Sequence, residues 1–282
     1  MKSILLPLNG VVPSEPLIAG AVLMARQYNC FIQAAWCQQT LPIIAGEGIT
    51  LPAEYLSQFE QEERELSEHA RELFFQYIGN HGIGTKSLEY WQGDAPAADW
   101  MELQGSGAIA LAEMARVFDL SLMHRTVPEN STEWRTTCET VLFEGGRPLL
   151  LISDELPTHF GENVVIAWNG SSETARTIAM SKSILVNARE VSVIQVEGAT
   201  VSGPDARQVT CTLKASGINA SHEVLESPGQ TPAQTIMDYA TRHGADLVLK
   251  GAYTHSRLRA LIFGGVTSDI FSQSSLPALF CH

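Results

Sequence analysis

The residues best suited to chemistry sit in one segment near the end of the 282-residue chain. There Gly251-Ala252-Tyr253-Thr254-His255-Ser256-Arg257-Leu258-Arg259 leads on to Gly264-Gly265-Val266-Thr267. A glycine closing an apolar run lets a ligand come close to the backbone. A glycine pair opening a helix leaves N–H groups without partners, which suits phosphate. His255, Arg257 and Arg259 add positive charge to a chain with 18 Lys and Arg against 31 Asp and Glu, a net charge of −13. The chemical reading is an anionic ligand. The structural reading makes Gly251 a strand end, Gly264-Gly265 an ordinary turn and the arginines solvated or ion-paired. Spacing alone does not separate the two.

Other chemistries have less behind them. Ser256 lies beside His255, but adjacent side chains rarely face one another and the chain has no G-x-S-x-G elbow, so a loop-capping hydroxyl outweighs a nucleophile and no catalytic residue is assigned. The enzyme question leans to no, with slow ATP hydrolysis as the upper bound. Glu60, Glu62, Glu63 and Glu65 fall on a helical pattern and read as a solvated face. Cys30, Cys37, Cys138, Cys211 and Cys281 include no C-x-x-C pair and read as reduced thiols, with no metal site expected. The five tryptophans have no regular spacing and read as packing residues.

The acidic balance argues against nucleic acid or an anionic membrane surface as a partner. No run approaches the ~20 apolar residues of a membrane span, and Met1-Lys2 leads into a short apolar run without a cleavage pattern. A cytoplasmic location is the expectation.

The elements that must position the glycine segment belong to an internal repeat. Ile4-Leu5-Leu6-Pro7-Leu8-Asn9-Gly10 returns as Val164-Val165-Ile166-Ala167-Trp168-Asn169-Gly170. Asp119-Leu120-Ser121-Leu122 returns as Asp246-Leu247-Val248-Leu249, and Pro148-Leu149-Leu150 as Pro277-Ala278-Leu279. The first copy is longer by about 33 residues before Asp119, placed between Gln38 and Tyr77.

In the second copy, Val164–Trp168 reads as a buried strand and Ser172–Val186 as a helix. Strands follow at Val191–Val196, Ser221–Leu225, Asp246–Lys250 and Ala278–Phe280. Helices at Ala206–Ala215 and Pro232–His243 alternate with them. The first copy repeats the plan with helices near Pro16–Tyr28, Ala53–Ile78, Ser106–Arg116 and Glu133–Phe143. Alternating strands and helices imply parallel pairing with right-handed crossovers. The expected fold is α/β, two doubly wound five-stranded parallel-sheet domains at 1–154 and 162–282, joined by a linker at Glu155–Gly161. Ligands of such sheets bind beyond the carboxyl ends of the strands, where the strand order reverses.

The chain resembles the universal stress protein (UspA) family in its tandem form, over nearly its whole length. The family's nucleotide-binding members carry G-x2-G-x9-G-[ST] after the fourth strand. Here Gly251 and Gly264 stand 13 apart, with Val266-Thr267 following, while Thr254 replaces the middle glycine, Gly265 the Ser/Thr and Asn169 the usual carboxylate. The resemblance implies an adenine nucleotide alpha hydrolase-like fold, with the final strands of both domains paired as an intramolecular pseudo-dimer through Leu149–Ile152 and Pro277–Cys281.

It also implies a stress-response or regulatory role and ATP, with Mg, in the C-terminal domain. Ala167 and Asn169 would lie beside the nucleoside, Val196 against the adenine, and Lys250 and Gly251 under the ribose-phosphate. Gly264, Gly265, Val266 and Thr267 would cradle the phosphates, next to Thr254, His255 and Arg257 of the same loop. The alternative is a nucleotide-independent interaction scaffold with a degenerate ATP site. In the first domain His124 stands where Gly251 would, and no glycine occurs between Gly107 and Gly145, so that domain is expected not to bind nucleotide. The long helix carries Tyr55, Leu56, Phe59, Leu66, Leu73, Phe74 and Ile78, read first as core and otherwise as a surface for a partner or for a second copy in a homodimer. The loop Leu41–Leu51 is a lid or a pocket wall.

Overall fold

A computed structural model describes residues 1–9, 14–37, 52–103, 107–125, 132–252 and 276–282. The chain alternates strands and helices as the apolar runs predict. The first half holds β1 (Ser3–Leu8), α1 (Ser14–Tyr28), β2 (Phe31–Trp36), α2 (Ala53–Asn80), β3 (Gly84–Thr85), β4 (Ala97–Glu102), α3 (Gly107–Ala115), β5 (Leu120–His124), α4 (Thr132–Glu144) and β6 (Leu149–Ile152). The second holds β7 (Asn163–Ala167), α5 (Ser172–Met180), α6 (Lys182–Leu185), β8 (Glu190–Val196), α7 (Ala206–Ala215), β9 (Ala220–Leu225), α8 (Pro232–Arg242), β10 (Leu247–Gly251) and β11 (Ala278–Cys281).

All these strands form one sheet, ordered β3-β4-β2-β1-β5-β6-β11-β10-β7-β8-β9. Each half pairs its strands in parallel, in the doubly wound pattern, and the order reverses between β1 and β5 and between β7 and β10. The halves meet at one antiparallel pair, with Leu151 opposite Ala278, Leu150 opposite Leu279 and Leu149 opposite Phe280. That pair is the pseudo-dimer join.

Alternation along the strands divides the apolar side chains between two cores. Ile4, Leu6, Ile32, Leu150, Ile166, Val193, Leu249 and Leu279 face α1, α2, α5, α6 and α7. Leu5, Ala35, Leu149, Leu151, Val165, Ile194, Val248 and Phe280 face α3, α4 and α8. Strands buried on both faces carry near-continuous apolar runs for this reason.

The recurring aspartates bind the strands at their amino ends. Asp119 Oδ2 accepts the amides of Lys2 and Ser3, at 2.5 and 3.3 Å. Asp246 accepts those of Gly161, Glu162 and Asn163, at 2.9, 2.9 and 3.1 Å. In the linker, the carbonyl of Phe160 accepts from Tyr28 Oη at 2.5 Å and Gln27 Nε2 at 2.7 Å, which fastens the second half to α1.

Several expectations need correction. The helix expected over Ser172–Val186 breaks at Ser181, whose carbonyl accepts the amides of Ile184 and Leu185 and starts α6. The first half has a sixth strand, the two-residue β3, in a segment after α2 that has no counterpart between α7 and β9. Much of the extra length lies in α2, with 28 residues against 10 in α7. On α2, Phe74 and Ile78 are buried but Tyr55, Leu66 and Leu73 are exposed, and Glu63 is buried rather than solvated. A helix of this length overruns the sheet it packs on, so only part of its apolar surface reaches core. The loop Leu41–Leu51 lies outside the described residues.

Candidate functional site

The second-half crevice is built where β7 and β10 end side by side. Leu249 is level with Ile166 and Ile194 with Ala167. Extending that register one residue sets Lys250 beside Ala167, with Val196 one pleat further along β8. Ala167 and Val196 belong to the core facing α8, and alternation after Val248 sends Lys250 to the same face. Three of the expected residues thus share one corner of the sheet. Asn169 follows Trp168 in the turn after β7, and Gly251 points to the opposite face.

Gly251 is fixed by packing. A Cβ there would run into the backbone of Glu173 and Thr174 in the first turn of α5. Its amide donates to Thr174 Oγ1 at 3.3 Å, and Thr174 Oγ1 donates to Asn169 Oδ1 at 2.7 Å. Ser171 caps α5 by accepting the Thr174 amide, while its own amide donates to Asn169 Oδ1 at 3.3 Å. Thr177 Oγ1 donates to Glu173 O at 2.8 Å and lies 3.3 Å from Lys250 O. The glycine requirement at 251 is therefore met by the seating of α5, and the Asn169 carbonyl oxygen is engaged by the same helix.

A second loop closes over the turn after β7. Gly170 has φ +83°, and a Cβ on it would fall 2.7 Å from Val201 O. The amide of Val201 donates to Asn169 O at 2.9 Å, and Trp168 Nε1 donates to Pro204 O at 2.7 Å. These contacts hold the loop Val201–Pro204 across the turn after β7.

The electrostatics centre on Lys250. Its side chain is buried, and among the described residues it has one hydrogen bond, to Gly251 O at 3.4 Å, and no ion pair. Burial pushes its pKa down to about 8, with Glu173 pulling the other way. Burial works to raise the Glu173 carboxyl, but its own amide, Ser172, Ser171 and Arg176 outweigh that and hold it below the usual carboxylate range.

The first-half crevice differs. His124 ends β5 as Gly251 ends β10. It is buried, with Nε2 3.1 Å from Asp154 Oδ1, and burial holds it below the ordinary histidine value against the opposing pull of Asp154. Arg125 beside it is buried too, its pKa brought down by burial to about 10.

Of the expected site residues, Ala167, Val196 and Lys250 are thus placed at one corner, with Asn169 in the turn after β7 and Gly251 on the opposite face. Thr254, His255, Arg257, Gly264, Gly265, Val266 and Thr267 lie outside the described residues, as does Ser256. Sequence reasoning missed Thr174 and the loop Val201–Pro204. The Ser171-x-x-Thr174 spacing marks a helix start, but nothing in it points to a partner 77 positions away. All five cysteines are free thiols, four of them buried, and burial pushes Cys37 and Cys281 up to about 12. Among the described residues no cluster could hold a metal ion, and no helix is long and apolar enough to cross a membrane.

Comparison with known proteins converges on one family. Residues 185–282 match the universal stress protein family. The stress response protein NhaX of Bacillus subtilis is 38% identical over 48 residues, 17% of this chain and 29% of that protein. Universal stress protein Slr1230 of Synechocystis sp. is 27% identical over 121 residues, 41% of each chain. The matches therefore span less than half the length of these curated relatives. In fold, a universal stress protein of Archaeoglobus fulgidus DSM 4304 superposes with a TM-score of 0.71 at 15% identity, covering 99% of this chain and 95% of the other. A protein of Pseudomonas aeruginosa UCBPP-PA14 described under the same family name gives 0.54 at 14%, covering 100% and 93%. The second half thus matches the universal stress protein family over residues 185–282, and along the whole chain the fold is that of solved universal stress proteins.

Proposed function

We propose that this is a stress-response protein of regulatory type that binds an adenine nucleotide, ATP with Mg²⁺, in the crevice of its second half, and that the first half does not bind nucleotide. The observation that supports this most is the convergence of Ala167, Val196 and Lys250 on one face at the point where strand order reverses. Two small apolar side chains suit the flat face of a base, and a buried amine with no carboxylate ion pair among the described residues suits phosphate. The residues present fit the group. In this reading Ala167 and Val196 hold the adenine and Lys250 meets the ribose-phosphate. Gly264, Gly265, Val266 and Thr267 supply the phosphate cradle, with Thr254, His255 and Arg257 in the loop before it. Bound ATP would supply a charged, state-dependent surface for regulation. In the first half His124 ends its strand where the second half has Gly251, with Nε2 3.1 Å from Asp154 Oδ1.

A second reading is favoured by one observation. Asn169 Oδ1 already accepts from Thr174 and Ser171, and the loop at Val201 lies across Gly170. On that reading the crevice is closed and the protein is a nucleotide-independent interaction scaffold, in which a homodimer would use the exposed Tyr55, Leu66 and Leu73. Calorimetric titration of the full chain with ATP and Mg²⁺, beside Gly264→Asp, decides between them. Stoichiometric binding lost in the variant supports the nucleotide site. No binding by folded protein supports the scaffold.

A further inference from the structure

Lys250 is out of place by the rules that build the rest of β10. Leu247, Val248 and Leu249 are apolar and buried on both faces, and Lys250 is 5% exposed in the same strand. A buried ammonium is costly unless an opposite charge and good hydrogen bonds accompany it. Among the described residues it has one carbonyl at 3.4 Å, longer than a normal N–H···O bond. The surroundings add little. From α5, Glu173 attracts it, and Arg176 on the same helix acts on Glu173. From β11, Cys281 is a neutral thiol, and beyond it His282 Nδ1 lies 3.2 Å from Ala252 O. The end of β7 contributes Asn169, which does not titrate. The described residues leave the amine incompletely satisfied at the corner where an open parallel sheet takes its ligand.

We propose that Lys250 is the charge-reading residue of the second-half crevice, selecting anionic ligands over neutral ones and taking up a proton as a phosphate group docks on Nζ. The inference rests on the nucleotide reading for its location and goes beyond it in naming what the site discriminates and how binding couples to pH. Free Lys250 is partly neutral at mildly alkaline pH, because its pKa sits at about 8. A phosphate oxygen favours the charged form, so binding raises that pKa and draws one proton from solvent. Below about pH 7 the amine is already charged and the uptake vanishes. Above about pH 8 each bound polyanion must bring its proton, so affinity declines as pH rises.

The test is calorimetry of the full chain with three probes, ATP with Mg²⁺, tripolyphosphate and adenosine, at about pH 7 and about pH 9, each in two buffers of different ionisation heat. The expected result is uptake of about one proton per ATP or tripolyphosphate at the higher pH and little at the lower, with none for adenosine. Lys250→Met should weaken both polyanions by roughly tenfold to a hundredfold and leave adenosine unchanged. Lys250→Arg, which does not titrate, should keep polyanion binding and lose the uptake. Unfolding midpoints check that each variant is folded, and the uptake by the native chain needs no variant. ATP bound without uptake, or bound equally well by Lys250→Met, overturns the role of Lys250 and leaves the nucleotide reading standing. Tripolyphosphate bound with uptake, and ATP no tighter, supports Lys250 and removes the adenine. Failure of both polyanions to bind overturns both.

Discussion

Gly251 and Thr174 stand 77 positions apart and touch, the amide of one donating to the hydroxyl of the other at 3.3 Å. This bond, with the one from Thr174 to Asn169, locks the first turn of α5 against the ends of β7 and β10. Thr174→Val keeps the shape and removes the hydroxyl, leaving the buried Gly251 amide and the Asn169 carbonyl without it. The expected loss is about 1–3 kcal/mol in urea unfolding. Gly251→Ala should cost a similar about 1–3 kcal/mol by overpacking, since its methyl meets helix backbone rather than a movable side chain.

The two aspartates that recur in the repeat should differ in weight. Asp246 accepts three backbone amides from the entry to β7, while Asp119 accepts two at the entry to β1. Asp246→Ala is expected to destabilise by about 2–4 kcal/mol, more than Asp119→Ala, when both are measured by chemical denaturation.

The buried His124 gives the first half a pH dependence with a definite sign. Burial holds its folded-state pKa below the unfolded value, so the folded state binds fewer protons than the unfolded one below neutrality. Its contribution is full above the unfolded pKa, about 6.5, and is lost as pH falls below it. Native protein should therefore lose stability between about pH 7.5 and about pH 5.5 by more than His124→Asn does. Equal losses in the two would show that folding does not shift the His124 pKa.

The seam between halves should be energetically coupled. Leu150 and Leu279 face each other across β6 and β11 and are both buried. Each change to Ala is expected to cost about 2–5 kcal/mol, and as neighbours the two should be non-additive in a double-mutant cycle. With both cores running across the seam, native protein should unfold in one transition.

The repeat made most of the fold legible. Val164–Ala167, Val191–Val196 and Leu247–Lys250 carry apolar runs too short for helices, and their alternation with helical patterns leaves a parallel sheet as the consistent outcome. The break at Ser181 and the strand at Gly84 were not legible, because each depends on tertiary fit rather than on period. At the site, the corner of Ala167, Val196 and Lys250 followed from the topological rule and from the resemblance at Gly251. The tie through Thr174 did not, since a hydroxyl in the first turn of a helix looks the same whether it faces solvent or another strand. Glu63 shows the converse, a carboxylate in a charged run that the fold buries.

The antiparallel join of β6 to β11 carries one more consequence. Because the strands of the two halves run in opposite directions, the carboxyl-end crevices open on opposite rims of the sheet. Lys250 and His124 therefore stand at opposite rims, while the halves are joined by backbone hydrogen bonds, by core and by the contacts of Phe160 with Gln27 and Tyr28. Had the same join been made by two copies of one chain, every substitution at one rim would have appeared at the other. Held in a single polypeptide, the rims are free to diverge, and a histidine can stand at one strand end where the other keeps its glycine.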